Sequence, residues 1–294
     1  MEFGLSLFGL GPRHYASVAQ AAEAAGFDSV WLPDHLVFPE TMPATYPYSE
    51  SGSPQMDSNM AVFDPWVICG AIAQATQTIK MGTSVYILPL RHPLVVARAL
   101  VTLDHLSNGR VLLGAGVGWL EEEFTAAGLD FRQRGKRMDE IIPLLRRLWT
   151  EDTIEHHGPT LDIPSVKFQP KPRKGTIPIL VGGASPAALR RAGRLGDGWI
   201  EIGTRDFDQL AERLGAINAA RAEAGRADLP FDVTLMLRSG GFGDAPDDLE
   251  RLADMGVTRV IASQEIKQGQ RITVDAVTEW IADYGARVIA RARG

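Results

Sequence analysis

Short runs of β-branched and aliphatic residues alternate along the whole chain with longer stretches of 3.6-residue apolar periodicity. Eight runs read as strands: Glu2–Phe8, Phe27–Leu32, Ile79–Val85, Arg110–Ala115, Ile177–Val181, Gly198–Ile202, Phe231–Arg238 and Thr258–Ala262. Between them lie amphipathic helices. Met138, Ile141, Ile142, Leu145, Leu148 and Trp149 form one apolar stripe, and Val277, Trp280, Ile281, Tyr284 and Val288 form another near the C-terminus. In the helix that opens at Pro93, the inner stripe is expected to be Val95, Ala99, Thr102 and Leu106.

The joints from helix to strand share one design, with Gly26, Gly109, Gly196 and Gly256 each standing where a helix ends and a strand begins. Glycine accepts the left-handed backbone of a helix C-cap at no steric cost, so tight loops are expected there. The long connections lie elsewhere. Pro33 to Asp64 follows the second strand, and Thr153 to Thr176 is an excursion before the fifth. Eight strands joined by connecting segments, with a closing final helix, predict a single α/β domain over residues 1–294. It is a (β/α)8 TIM barrel with insertion loops at its catalytic face. A doubly wound open sheet is the alternative, but the first strand–helix junction, Phe8-Gly9-Leu10-Gly11-Pro12, carries no dinucleotide fingerprint.

Composition narrows the function. The chain has 294 residues, 45% of them hydrophobic and 22% charged, with a net charge of −6 and no block of Lys or Arg, so nucleic acid is not an expected partner. No apolar run approaches the ~20 residues that span a bilayer, and no leader peptide is legible, so no membrane association is expected. A lone cysteine, Cys69, allows no internal disulfide or cysteine-based zinc site and fits a reducing cytoplasm. His14, His35, His92, His105, His156 and His157 lack metal-ligand spacing, so no metal is expected.

Four segments carry candidate chemistry. Trp31-Leu32-Pro33-Asp34-His35 ends the second strand, where Asp34 and His35 suit proton transfer, or else a cap and a loop contact. Small residues in Gly82-Thr83-Ser84-Val85 mark a bulge or simply a buried strand. Gly114-Ala115-Gly116-Val117-Gly118-Trp119 exposes backbone after the fourth strand. Glu121, Glu122 and Glu123, which follow it, read as a solvated helix start. Gly182-Gly183-Ala184-Ser185-Pro186 offers both a phosphate cradle and an ordinary Ser N-cap with Pro behind it.

Taken together, these segments resemble the luciferase-like monooxygenases and their deazaflavin-dependent relatives. The likeness runs through Ala24 to His35, Leu103 to Arg110, Gly114 to Trp119 with Glu123-Phe124, Arg134 to Glu140, Gly182 to Ser185 and Gly196 to Trp199. It implies an oxidoreductase using coenzyme F420 for hydride transfer to or from a small organic substrate, with His35 and Asp34 catalytic. It implies that Thr83, Ser84 and Val85 prop the ring, with a cis peptide at Ser84-Val85. Gly116 and Gly118 would line the cofactor, and Gly182, Gly183, Ala184 and Ser185 would hold its phosphate. The alternatives are an FMN-dependent monooxygenase fed by a partner reductase, and a catalytically silent flavin-binding relative. The family also implies a homodimer. Trp119 departs from the acidic residue of some deazaflavin dehydrogenases, which puts a sugar-phosphate mechanism in doubt. Arg91, Arg98 and Arg173 are candidate cations for a long anionic tail, and Phe38, Tyr46, Tyr48 and Met56 for an aromatic cover.

Overall fold

The computed structural model describes residues 1–43, 46, 56–201, 203–204, 206–237, 242–264 and 272–294. Its strands are β1 (Glu2–Ser6), β2 (Ser29–Leu32), β3 (Lys80–Thr83), β4 (Tyr86–Ile87), β5 (Val111–Gly116), β6 (Ile154–His157), β7 (Asp162–Val166), β8 (Ile179–Gly182), β9 (Gly198–Glu201), β10 (Asp232–Met236) and β11 (Arg259–Ala262). The main sheet runs β3-β2-β1-β11-β10-β9-β8-β5-β4, and β3 also pairs with β5. That last pairing closes the sheet into a barrel of eight parallel staves, one of them interrupted between β3 and β4. All eight predicted strands are present, their described ends matching or trimmed by one or two residues, except that β5 and β8 each run one residue further, to Gly116 and Gly182. Arg238 and Ile202, at two of the predicted strand ends, lie outside the described residues.

The helices ring this barrel: α1 (Tyr15–Ala24), α2 (Pro65–Ala75), α3 (Pro93–Ser107), α4 (Glu121–Ala126), α5 (Arg134–Thr150), α6 (Pro186–Leu195), α7 (Phe207–Glu223), α8 (Pro246–Asp254) and α9 (Val274–Tyr284). The α5 stripe is buried in full, and so is the α9 stripe apart from the half-buried Trp280. The α3 stripe is a correction. Val96, Leu100, Leu103 and Ser107 face inward, while Val95 is 64% and Leu106 52% exposed. This helix is apolar on adjacent stripes, so periodicity alone did not choose the face. Among the described residues, no helix is long and apolar enough to cross a membrane.

At the bottom of the barrel, Gly26, Gly109 and Gly256 adopt the left-handed backbone expected of them, with φ of 89°, 79° and 88°. Gly196 does not: its φ is −81°, and a Cβ there would lie 2.8 Å from the carbonyls of Ala192 and Gly198. Close backbone approach, not handedness, requires that glycine. The excursion before β8 is also more ordered than a loop. There β6 and β7 pair antiparallel outside the barrel, turning at Gly158, with Ile154 and Ile163 buried.

The barrel interior is filled from below. Trp31 is fully buried with Leu112, Leu180, Ile200 and Ile261. It fits because Gly4 and Gly82 flank it; a Cβ on either would come within 2.6 Å of the indole. Its Nε1 donates to Ser29 Oγ at 2.9 Å. Beneath it, the buried Arg259 pairs with Glu2 and donates to Thr234. Among the described residues the lower half of the barrel is therefore filled, which leaves its open space at the C-terminal mouth.

Candidate active site

The floor of the mouth is built where the barrel stave breaks. From Gly82 to Tyr86 the chain advances four positions while its partner advances only three, from Leu112 to Ala115. One residue is extra, which defines a β-bulge. The Ser84–Val85 peptide inside it is cis, as the resemblance implied. Thr83 is fully buried, and its hydroxyl donates to the Gly114 carbonyl at 2.8 Å. The Val85 side chain is clasped by glycines: a Cβ on Gly116 would lie 2.4 Å from one of its methyls, and one on Gly182 2.5 Å from the other. Gly118 (φ 81°) is held open in the same way for Ile87 and Phe124. These glycines make room for the protein's own bulge as well as lining the space above it.

That space is a cavity of about 1040 Å³, walled by Ser84, Val85, His35, Trp119, Met236 and the Gly182–Ser185 turn, among others. The outer, rather apolar groove between α3 and β7 is smaller, about 650 Å³, and of the candidate residues holds only Arg98. On the cavity's far side, Gly183 has φ 114° and Ser185 caps α6, accepting from Ala188 N–H at 3.2 Å with Pro186 behind it. The capping role and the exposed turn coexist, so the two readings of this segment do not compete.

The Asp34-His35 pair separates in the structure. Asp34 is buried, and its carboxylate accepts from both Arg91 Nη1 and Nη2 at 2.7 Å and from Ile87 N–H at 2.9 Å. Burial works to raise its pKa, and Arg91 opposes that. The carboxylate is thus occupied in fixing the loop after β4 to the end of β2. His35, by contrast, stands at the cavity wall beside Phe38, whose ring centroid is 4.8 Å away, and edge-on to Trp119 at 6.3 Å. Its Nδ1 lies 3.2 Å from Oε2 of Glu123, a fully buried carboxylate that also accepts from Leu36 N–H.

Glu123 therefore corrects the expectation of three solvated glutamates. Glu121 and Glu122 are exposed, whereas Glu123 turns inward with Phe124. The helical period contained that signal, since Glu123 and Phe124 precede the half-buried Ala127 by four and three positions. The candidate tail cations need correcting too. Arg91 is bound to Asp34, Arg98 lies over Phe168 in the outer groove, and Arg173 lies in the connection before β8, its backbone tied to Asp104. Among the described residues, the Arg and Lys side chains that line the cavity are Arg134 and Arg213. Arg134 donates to the carbonyls of Gly118 and Phe131 and stacks on the Phe131 ring, with no carboxylate at ion-pair distance among the described residues. Arg213 is paired with the buried Glu201. Of the aromatic cover, Phe38, Tyr46 and Met56 line the cavity, joined by Met60 and Val62; Tyr48 lies outside the described residues.

The sequence profile described as luciferase-like monooxygenase matches residues 3–283, nearly the whole chain. The chain belongs to this family. Among its luciferase-like relatives, an uncharacterised protein of Mycobacterium tuberculosis is 38% identical over 247 residues, which is 84% of this chain and 83% of that one. The F420-dependent glucose-6-phosphate dehydrogenase of Amycolatopsis mediterranei is 31% identical over 220 residues, covering 73% of this chain but only 60% of its own length. In fold, this luciferase-like barrel is similar to an F420-dependent secondary alcohol dehydrogenase solved with an F420–acetone adduct. The TM-score is 0.76 at 18% identity, over 100% of this chain and 99% of the other.

Proposed function

We propose that this chain is an oxidoreductase using coenzyme F420 for hydride transfer to or from a small organic molecule, with His35 as the proton donor or acceptor. The carrying observation is the placement of His35. It stands at the wall of the large cavity at the mouth, above the bulge at Ser84-Val85, with one ring nitrogen already held by a buried carboxylate.

The residues present fit such a cofactor. The cavity volume is on the scale of cofactor sites. Its floor of Val85 and Met236 is apolar and suits a flat ring, with Thr83 and Ser84 supporting it from behind. At the other end, the N-terminus of α6 opens at Gly182, Gly183, Ala184 and Ser185 with no acidic residue in its first turn, which suits an anionic tail. Arg134 adds a positive charge on that wall. When bound, the deazaflavin supplies the carbon that accepts or donates hydride, and the protein supplies orientation and proton handling. His35 moves the proton; Asp34 acts at one remove, by holding the Arg91 loop that underlies His35's strand end. Gly116 and Gly118 contribute backbone to the wall and space for the bulge.

The surface beside His35 is aromatic and apolar, from Phe38, Tyr46, Trp119 and Met60, so the substrate is read as a small molecule with an apolar body. A second reading, an FMN monooxygenase supplied with reduced flavin by a reductase, is favoured by the family's own description. A catalytically silent flavin-binding relative is disfavoured by the His35–Glu123 pair. A second copy of the chain is the proposed partner, covering Val67 on α2 and Val95 on α3, which are 73% and 64% exposed; light scattering should then give the mass of two chains. The cofactor is tested by titrating the apo-protein separately with F420 and FMN. Micromolar binding of F420 with much weaker FMN binding is expected. The reverse preference would move the protein to the oxygen-activating reading, and binding of neither would overturn both.

A further inference from the structure

Glu123 is a fully buried carboxylate on a short helix whose two preceding residues are also glutamates, yet only Glu123 turns into the protein. One of its oxygens accepts from the backbone N–H of Leu36, at the root of the long connection after β2, and the other lies 3.2 Å from Nδ1 of His35. Of the other charged groups around this pair, Asp34 is held by Arg91, Glu121 and Glu122 are exposed on the same helix and line the cavity, and Arg134 and Arg213 line it as well. The rings against His35, Phe38 and Trp119, are uncharged in character and offer its nitrogens no hydrogen bond.

An ionised carboxylate can only accept, so the nitrogen facing it must carry the hydrogen. In a neutral imidazole the other nitrogen is then the acceptor, and here Nε2 has no hydrogen-bond partner among the described residues and is not sealed from the cavity. We infer that Glu123 is a positioning residue that fixes the tautomer of His35, keeping the hydrogen on Nδ1 and leaving Nε2 as the nitrogen that exchanges a proton with a ligand. This rests on His35 being the acid–base group proposed above. The competing role, in which Glu123 only ties down the Leu36 peptide, predicts no effect on the ring.

The test is nitrogen-15 NMR of histidine-labelled full-length apo-protein at a pH where His35 is neutral, with the His35 signal identified by its loss in His35→Gln. The wild type is expected to show a hydrogen-bearing Nδ1 and a bare Nε2. Glu123→Ala is expected to give averaged nitrogens, and Glu123→Gln is expected to move the hydrogen to Nε2, because a glutamine whose oxygen accepts from Leu36 N–H turns its NH2 toward Nδ1 as a donor. A wild-type His35 protonated on Nε2, or an unchanged Nδ1–H form in both folded variants, would overturn the inference; the wild-type spectrum alone decides should either variant fail to fold. In the F420-loaded enzyme, turnover of both variants is expected to fall about 100-fold, the scale of lost general acid–base catalysis, with F420 affinity within about threefold of wild type. Absence of F420 binding would sink the cofactor reading and leave the NMR result standing.

Discussion

Asp34 and His35 are adjacent in the chain and end up with different partners, because the peptide between them turns one side chain toward Arg91 and the other toward the cavity. Their candidacy was legible in the sequence; their separation was not. It depends on partners 57 and 88 positions away, Arg91 and Glu123, which no local pattern pairs with them. The two residues should respond differently to substitution. His35→Gln is expected to lower turnover by about 10²- to 10⁴-fold while leaving F420 affinity within a few-fold, in steady-state kinetics beside a binding titration. Asp34→Ala instead leaves the largely buried Arg91 guanidinium without its carboxylate, and should cost about 3–5 kcal/mol in urea unfolding. Full turnover in His35→Gln would remove it from the chemistry.

Among the elements, the bulge between β3 and β4 shows how much a short motif encodes. Small residues at Gly82 and Ser84 suited an ordinary buried strand as well as a bulge, and the glycines that accommodate the bulge, Gly116 and Gly182, stand on other staves. Gly116→Ala places a methyl 2.4 Å from the Val85 side chain. It is expected to cost about 1–3 kcal/mol of stability and to weaken F420 binding. Adding Val85→Ala should restore much of both, as read by denaturation and titration; no coupling between the two changes would mean that the clasp does not shape the floor. The α3 helix teaches the opposite lesson, since two adjacent apolar stripes left its buried face undetermined until the barrel was in place.

A second element-scale prediction concerns Glu23, at the end of α1. Burial works to raise its pKa, but the N–H groups of Thr78, Ile79 and Gln77 outweigh it and hold the carboxyl down to about 2 from an ordinary 4.5. A depressed carboxylate stabilises the fold fully above about pH 4.5, and that contribution is lost as the pH falls toward 2. Glu23→Gln should therefore lower Tm at neutral pH and flatten the decline of Tm over that acid range. A variant whose melting curve tracks the wild type at every pH would show that this cap between α1 and the turn before β3 contributes nothing.

For the molecule as a whole, closure of the barrel was foreseeable from eight strands separated by crossovers, because parallel strands need such connections and a full circle leaves no edge. The external β6–β7 hairpin was not. Its strands are short, the pattern in Ile154-Glu155-His156-His157 is too brief to stand out, and only burial of Ile154 and Ile163 against the barrel's surroundings defines it. The site as a whole was legible to the extent that it lies on strand ends and glycine turns, and illegible where side chains from α4, α5 and α7 reach back to it, as Glu123 does to His35 and Arg134 and Arg213 do to the cavity wall. The central claim, that this mouth is a deazaflavin site worked by His35, is met most directly by a crystal structure of the complex with F420. The account predicts density for the ring against Ser84-Val85 within reach of His35, and for the phosphate at Gly183-Ala184-Ser185. A ring bound outside this cavity, or one turned with its reactive carbon away from His35, would contradict it.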